Sequence, residues 1–179
     1  YQPEFYINFL EVCDRVTKVD GRIGMLVPRS FMYKRTFEEC RSDFLGKQGA
    51  FDYLAEFGMG VLDNATVRTV GSVVRSETDS TDDSGTFFRL YDLPTEKKEP
   101  AFASSIAGKS YDNLERRFDV SLSELSQIPG FPICYATPPK VRSLHDTEFK
   151  LDADRADVEG TSIADAVQGL ATGNNDRFV

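Results

Sequence analysis

The chain has 179 residues and a formal net charge of −8, and this length allows one domain or one and a half. It contains no apolar run long enough to cross a bilayer, which excludes a helical membrane protein. Its first residues lack the basic and apolar segments of a secretory signal, and they also lack an initiator methionine. We therefore expect a cytoplasmic protein without a membrane partner, and we expect further residues upstream.

The charge is distributed unevenly along the chain. Residues 1–75 contain ten basic and ten acidic side chains, whereas residues 76–179 contain 11 and 19, and arginine outnumbers lysine by 13 to 8. An acidic, lysine-poor composition is typical of halophilic proteins, and a mildly acidic mesophilic protein is the alternative. Under the halophilic interpretation, acidity does not exclude a nucleic-acid partner, because local arginine clusters and base contacts can supply the binding.

The cysteines and the single histidine predict neither a metal site nor a disulfide framework. Cys13, Cys40 and Cys134 are odd in number and stand far apart in the sequence, which fits no zinc spacing. One histidine also leaves no support for a serine–histidine–aspartate arrangement. These residues therefore favour a reduced, cytoplasmic protein.

A helix and a strand open the predicted fold. Apolar residues recur at three- and four-residue steps, which predicts an amphipathic helix over residues 4–17. Its predicted inner face consists of Phe5, Phe9, Val12, Cys13 and Val16. Gly21 supplies the turn that follows. The continuous apolar run Ile23–Val27 is typical of a strand buried on both faces, and Pro28 ends it.

A second helix and two further strands complete an open α/β pattern. The spacing of Phe37 and Cys40 predicts a helix over residues 34–46, and strands follow over residues 51–57 and 66–75. Between these strands, Gly58-Met59-Gly60 lacks the third glycine and the helix of a phosphate-binding fingerprint, so it predicts a turn. In folds of this kind, functional groups gather at the carboxyl ends of strands.

The second half of the chain shows weaker patterns. The polar, acidic run Ser76–Gly85 predicts a surface loop, and Phe87–Tyr91 predicts a short strand. Short helices are predicted over residues 100–107, 111–118, 121–127 and 138–146. We divide the chain into a first domain, residues 1–99, and a linker with the start of a second region, residues 100–179.

Four cations follow the first predicted strand within thirteen residues, namely Arg29, Lys34, Arg35 and Arg41. One interpretation is contact with the phosphates of a nucleic acid. The other is a solvated helix face on which these cations pair with neighbouring acidic residues. Charge alone leaves both interpretations open.

Three stretches carry a resemblance to a known family. They are Gly21–Met32, Gln127-Ile-Pro-Gly-Phe-Pro-Ile-Cys-Tyr135 and Gly169-Leu-Ala-Thr-Gly-Asn-Asn-Asp-Arg-Phe178. Together with Val67-Arg68-Thr69, their order and spacing resemble the N6-adenine DNA methyltransferases. The similarity is greatest to the BREX, or phage-growth-limitation, enzymes and to related single-chain type II restriction–modification proteins.

The resemblance implies a fold and an activity. The fold would be the C-terminal half of a Rossmann-like methyltransferase sheet (helix-strand-helix-strand-strand), followed by a mixed, mainly helical extension into the target-recognition region. The activity would be site-specific adenine-N6 methylation of double-stranded DNA with S-adenosylmethionine. This chain lacks the family's glycine-rich cofactor loop and Asn-Pro-Pro-Tyr loop. We therefore expect no catalytic or cofactor-binding residue here, no activity of the chain alone, and a missing N-terminal half as partner.

The resemblance also assigns site residues. Those expected near DNA are Arg29, Ser30, Lys34, Arg35, Thr172, Asn174, Asn175 and Arg177. Asp63, Asn64 and Thr66 are expected at the base pocket, while Leu62 stands where the family often carries a phenylalanine against the extruded adenine. Two alternatives remain open, a stand-alone DNA-binding or specificity module without catalysis and a structural or protein-interaction domain.

Overall fold

The structure is a computed structural model that describes residues 5–46, 51–63, 66–76 and 83–146. Residues 1–142 form one compact unit, and residues 143–179 form a second. Of the second unit, only the short 3₁₀ turn Ser143–Asp146 is described. The division predicted after residue 99 stays a prediction. No helix of the described residues is both long enough and apolar enough to span a membrane.

The described chain alternates helices and strands. The helices are α1 (Phe5–Val16), α2 (Glu38–Gly46), α3 (Thr95–Ile106), α4 (Leu122–Ser126) and α5 (Pro139–Arg142). The strands are β1 (Arg22–Pro28), β2 (Phe51–Gly58), β3 (Thr69–Arg75), β4 (Ser84–Arg89) and β5 (Arg117–Ser121). Two 3₁₀ turns, Arg29–Met32 and Arg35–Phe37, connect β1 to α2. The predicted order helix-strand-helix-strand-strand and the α/β class are confirmed.

The five strands form one mixed sheet in the order β1-β3-β2-β4-β5. β3 is antiparallel to both of its neighbours, β2 is parallel to β4, and β5 is antiparallel to β4. β1, β2 and β4 therefore point in the same direction. Their carboxyl ends meet at one edge of the sheet, which we call the carboxyl edge.

The main core lies between one face of the sheet and α1, α2 and α4. Leu54, Val70 and Phe87 contribute completely buried side chains from three adjacent strands. On the opposite face, α3 covers the part of the sheet near the carboxyl edge. There the Phe102 ring meets Phe57 and Phe88 edge-on, with centroid distances of 5.9 and 5.0 Å.

The helix α1 is confirmed, but its predicted inner face is wrong. Ile7 and Leu10 are the residues that α1 buries in the core. Most of the predicted apolar stripe points outward, with exposed fractions of 91% for Phe5, 61% for Phe9 and 80% for Val16. A helix that exposes phenylalanines to this extent has a second apolar face that no described residue covers.

The strand β1 is confirmed, but its predicted burial on both faces is wrong. β1 is an edge strand, since its only described neighbour is β3. Ile23 and Val27 face the core, whereas Gly24 and Leu26 are exposed on the other face. Among the described residues, no strand pairs with the outer edge of β1 and no side chain covers its second face, although the run is apolar throughout.

The helix predicted over residues 111–118 is also wrong. Tyr111 and Leu114 form an isolated antiparallel bridge, and the strand β5 begins at Arg117. β5 completes the sheet because Phe118 pairs with Phe87 of β4 and packs on the core face. The other short helices are confirmed with shifted bounds, and Pro139 begins α5, as expected for a proline at a first helical position.

Candidate site at the carboxyl edge

The segments that follow β1, β2 and β4 come together at the carboxyl edge. The backbone N–H of Arg29, just after β1, donates to the carbonyl of Arg68, just before β3, at 2.9 Å. The Arg29 guanidinium carbon lies 5.1 Å from the centre of the Tyr33 ring and 5.4 Å from that of the Tyr91 ring. The topology thus joins residues that are more than sixty positions apart in the sequence.

The Arg29 side chain pairs with a buried carboxylate. The Arg29 guanidinium forms an ion pair with Glu56 of β2, whose side chain is 1% exposed. The second oxygen of Glu56 accepts a hydrogen bond from the Tyr135 hydroxyl at 2.8 Å. Glu56 is therefore neutralised by Arg29 and hydrogen-bonded by Tyr135, which is what a buried carboxylate requires.

Two tyrosines flank this ion pair and stay protonated at neutral pH. Burial, followed by the charge of Glu56, raises the pKa of Tyr33 above its ordinary value. The same two causes, in the same order, raise the pKa of Tyr135. The Tyr33 and Tyr91 side chains are nevertheless 39% and 44% exposed. The carboxyl edge therefore presents two phenol rings to solvent around a charge that is already paired.

The turn Gly58-Met59-Gly60 shapes the neighbouring loop, and its prediction as a turn is confirmed. Both glycines have positive φ, +74° and +80°, which favours glycine. A side chain at position 58 would also place its Cβ 2.8 Å from Tyr91. Lys98 of α3 donates to the Met59 carbonyl, and burial lowers the pKa of this amine. The glycine turn and Lys98 together hold this loop against Tyr91.

A concave surface of about 800 Å³ opens beside this turn. Its lining includes Met59, Gly60, Leu62, Asp63, Thr66, Arg68, Tyr91, Leu93, Pro94, Thr95 and Lys98. Two of the residues expected at the base pocket, Asp63 and Thr66, therefore lie on one surface. The third, Asn64, lies outside the described residues. The surface offers a carboxylate, a hydroxyl, a cation and an aromatic ring, a set that suits a planar polar ligand.

The four cations predicted after β1 have different environments. Arg29 is paired with Glu56, and Arg41 is 2% exposed and donates to backbone carbonyls. Lys34 and Arg35 are exposed and make no ion pair with any residue that the structure describes. The phosphate-contact interpretation therefore suits Lys34 and Arg35, and Arg41 fits neither interpretation because it is internal.

The other residues expected near DNA are placed only in part. The Ser30 hydroxyl lies 3.1 Å from the Tyr6 hydroxyl and is partly buried. The set Thr172, Asn174, Asn175 and Arg177 lies outside the described part of the chain. Their assignments stay predictions.

Sequence reasoning missed Glu56, Tyr33, Tyr91 and Tyr135. The one available signal was Glu56, an acidic residue between apolar residues in β2, a strand whose other acidic residue is Asp52. A bulge between Phe51 and Tyr53 changes which side chains of β2 face the core, and simple alternation from the buried Phe51 would put Glu56 on the other face. The tyrosines gave no local signal, since only the tertiary fold brings them to Arg29.

Comparisons with known proteins identify the fold. No protein-family model matches the chain, and no curated protein matches it. A solved chain from a type I restriction–modification system is similar, with 17% identity and a TM-score of 0.53, covering 75% of this chain and 32% of that one. The type IIG restriction endonuclease BpuSI is similar at 12% identity and a TM-score of 0.52, covering 73% and 16%.

A methyltransferase subunit of a type I restriction–modification system from Streptococcus thermophilus is also similar. It has 12% identity and a TM-score of 0.48, covering 65% of this chain and 26% of that subunit, and nothing further rests on this likeness. At these identities the first two matches show the fold alone. The chain therefore shares a mixed α/β fold with restriction–modification proteins and spans about a third or less of each neighbour.

Proposed function

We propose that this chain is the C-terminal part of an S-adenosylmethionine-dependent DNA adenine-N6 methyltransferase of a restriction–modification or phage-defence system. The chain completes the catalytic sheet and contributes to the surface that faces DNA. The missing N-terminal half supplies the cofactor loop and the catalytic loop, so the chain is inactive alone. The observation that carries this proposal is an apolar margin around β1 that no described residue covers, in a fold shared with restriction–modification proteins.

This open margin consists of the outer edge of β1, the outer stripe of α1 and the part of the second sheet face that neither α3 nor any other described residue covers. A groove lined by Phe5, Phe9 and Val12 of α1 runs alongside Gly24–Val27 of β1. The second face continues it at Tyr53, which is 52% exposed. An apolar strand edge exposed in this way favours pairing with a further strand, and the missing half is the occupant that fits a sheet of this fold.

The carboxyl edge supplies the DNA-facing side of the proposal. Lys34, Arg35 and Arg68 are exposed there, and none of them forms an ion pair with a described residue. Exposed cations without internal partners are available for phosphates, which position a duplex. The concave surface with Asp63 and Thr66 lies on the same edge and would receive the base that such an enzyme takes out of the duplex.

Methyl transfer by the assembled enzyme tests this function. The chain, co-expressed with the N-terminal half as a separate polypeptide, should transfer a labelled methyl group from S-adenosylmethionine to adenine in duplex DNA. The variant Leu26→Glu, which puts a charge on the open margin, should abolish assembly and transfer, because a carboxylate is costly to bury at an apolar interface. Assembly is measured by co-purification, and transfer by counting label in DNA.

The matched control is Leu114→Glu, since Leu114 and Leu26 are both 45% exposed and Leu114 lies outside the open margin. This control should assemble and methylate like the parent. Duplex binding without any transfer would support the stand-alone DNA-binding module instead. If Leu26→Glu and Leu114→Glu assemble and methylate to the same extent, the open margin is not the assembly surface.

A second prediction concerns Lys34. The variant Lys34→Ala should weaken duplex binding by the 179-residue chain and reduce the slope of log affinity against log salt by about one, because each phosphate contact releases about one counterion. Fluorescence anisotropy of a labelled duplex across a salt series gives this slope.

Lys18→Ala is the control, because Lys18 is also exposed but follows α1, near the opposite end of β1. Its slope should equal that of the parent. If Lys34→Ala leaves the slope unchanged, the cations after β1 do not face DNA.

A further inference from the structure

The exposed ring of Tyr91 is accessible to a ligand in the concave surface at the carboxyl edge. Tyr91 lies two residues after the end of β4, and it lines the concave surface that also contains Asp63 and Thr66. On that surface Leu62 offers only an aliphatic side chain, and Tyr91 is the one aromatic residue of the lining described above. A planar base on this surface would therefore find a single aromatic face.

The orientation of the Tyr91 ring is supported from inside the protein. The Arg29 guanidinium lies 5.4 Å from the ring centre, within the range of a cation–π interaction. Arg29 is itself fixed by Glu56, which is buried and bonded to Tyr135. Because Gly58 permits close approach of β2 to the Tyr91 backbone, both the backbone and the ring are constrained.

We propose that Tyr91 is the residue on which an unpaired nucleobase stacks at the carboxyl edge, with Asp63 and Thr66 facing the polar edge of that base. This assignment rests on the proposed function and names the residue that sets its base pocket. Stacking on an aromatic side chain is favourable for any base and tolerant of sequence. The ligand class is thus a single unpaired base, whether extruded from a duplex or already single-stranded.

Binding of matched DNA duplexes to the 179-residue chain tests the proposal without requiring methyl transfer. One labelled duplex carries an adenine opposite an abasic site, so that this base is unpaired, and the second is fully paired. The parent should prefer the unpaired adenine. In Tyr91→Leu the ratio of the affinities for the unpaired and the paired duplex should fall about tenfold, whereas Tyr91→Phe should keep the ratio of the parent. A third duplex carries an abasic site in place of the adenine. Neither the parent nor any variant should bind it more tightly than the fully paired duplex.

Tyr53→Leu is the matched control in this assay of the 179-residue chain alone, because Tyr53 is also an exposed tyrosine but belongs to the open margin on the second sheet face and not to the concave surface. It should behave like the parent. The assignment is overturned if the parent shows no preference for the unpaired adenine or if Tyr91→Leu keeps the preference of the parent. If Tyr91→Phe loses the preference, the Tyr91 hydroxyl binds the base and stacking on the ring does not explain the binding. If the assembled protein fails to methylate DNA while this preference persists, the proposed function fails and the binding of an unpaired base stands.

Discussion

Replacing Arg41 by methionine should lower the free energy of unfolding by about 3–5 kcal/mol, an effect in the range of a broken buried polar network. Arg41 donates five hydrogen bonds to the carbonyls of Phe31, Lys34, Gly130 and Phe131. Methionine fills a similar volume but leaves these carbonyls without their donor. Burial lowers the pKa of Arg41 from its ordinary value, yet arginine keeps its charge at neutral pH.

The large effect follows from what these carbonyls connect. Two of them belong to the segment between β1 and α2, and two belong to the turn at Gly130 and Phe131. Phe131 has a positive φ of 51°, a conformation that a non-glycine residue adopts only when its surroundings fix it. Arg41 therefore holds a strained turn against the segment that positions the carboxyl edge.

Urea denaturation at neutral pH measures the change, with Arg35→Met as the matched control. Arg35 is exposed six residues before Arg41 and forms no ion pair with a described residue, so its replacement should change stability by no more than about 0.5 kcal/mol. If both variants lose a similar free energy of unfolding, the hydrogen bonds from Arg41 to these carbonyls do not account for the stability of the fold. Circular dichroism at low denaturant confirms that each variant starts folded.

Arg41 also shows what the sequence could not separate. Arg29, Lys34, Arg35 and Arg41 form one basic cluster in the sequence, but the fold pairs one, buries another and leaves two in solvent. Charge and spacing are the same for an arginine that binds phosphate and for one that binds carbonyls. The difference lies in residues such as Gly130, which is 89 positions from Arg41 in the sequence.

The predicted elements succeeded where local patterns decide the structure. The order from α1 to β3 follows from periodicity and from breakers such as Gly21 and Pro28, which act within a few residues. The strand β5 was missed because its five residues alternate only weakly and gain their stability by pairing with β4. Strand formation of this kind depends on a partner that is distant in the sequence.

The burial predictions failed at α1 and β1 for one shared reason. An apolar pattern shows that a surface avoids water, but it does not show what covers that surface. In α1 the residues Ile7 and Leu10 face the core, while Phe5 and Phe9 face the open margin. The pattern therefore identified an apolar stripe but assigned it to the core, whereas the structure shows that this stripe has no described partner.

The site was predictable only in outline. The resemblance assigned Asp63, Thr66 and Lys34 to a site, and the structure brings these residues to the carboxyl edge, where functional groups gather in such folds. Glu56 and Tyr91 could not be assigned, because a bulge decides which side chains of β2 face the core and because β4 joins the site only through its parallel pairing with β2. These two residues define the buried ion pair and the exposed ring.

Replacing Arg29 by methionine should destabilise the chain by about 3–5 kcal/mol, because it leaves the carboxylate of Glu56 buried without a counter-charge. The control is Arg117→Met, which breaks the ion pair to Asp119. Arg117 and Asp119 are 38% and 57% exposed, so their loss should cost no more than about 1 kcal/mol. Urea denaturation of the 179-residue chain at pH 7 compares the two variants.

The double variant Arg29→Met with Glu56→Gln separates the buried charge from the other effects of the substitution. Glutamine removes the charge but keeps an oxygen that can accept from the Tyr135 hydroxyl. The double variant should therefore recover about 2 kcal/mol of the loss, and this non-additivity measures the coupling between the two residues. No recovery would mean that Arg29 stabilises the fold through the rings of Tyr33 and Tyr91 and not through Glu56. A loss in Arg29→Met no larger than that in Arg117→Met would show that the buried carboxylate does not depend on Arg29.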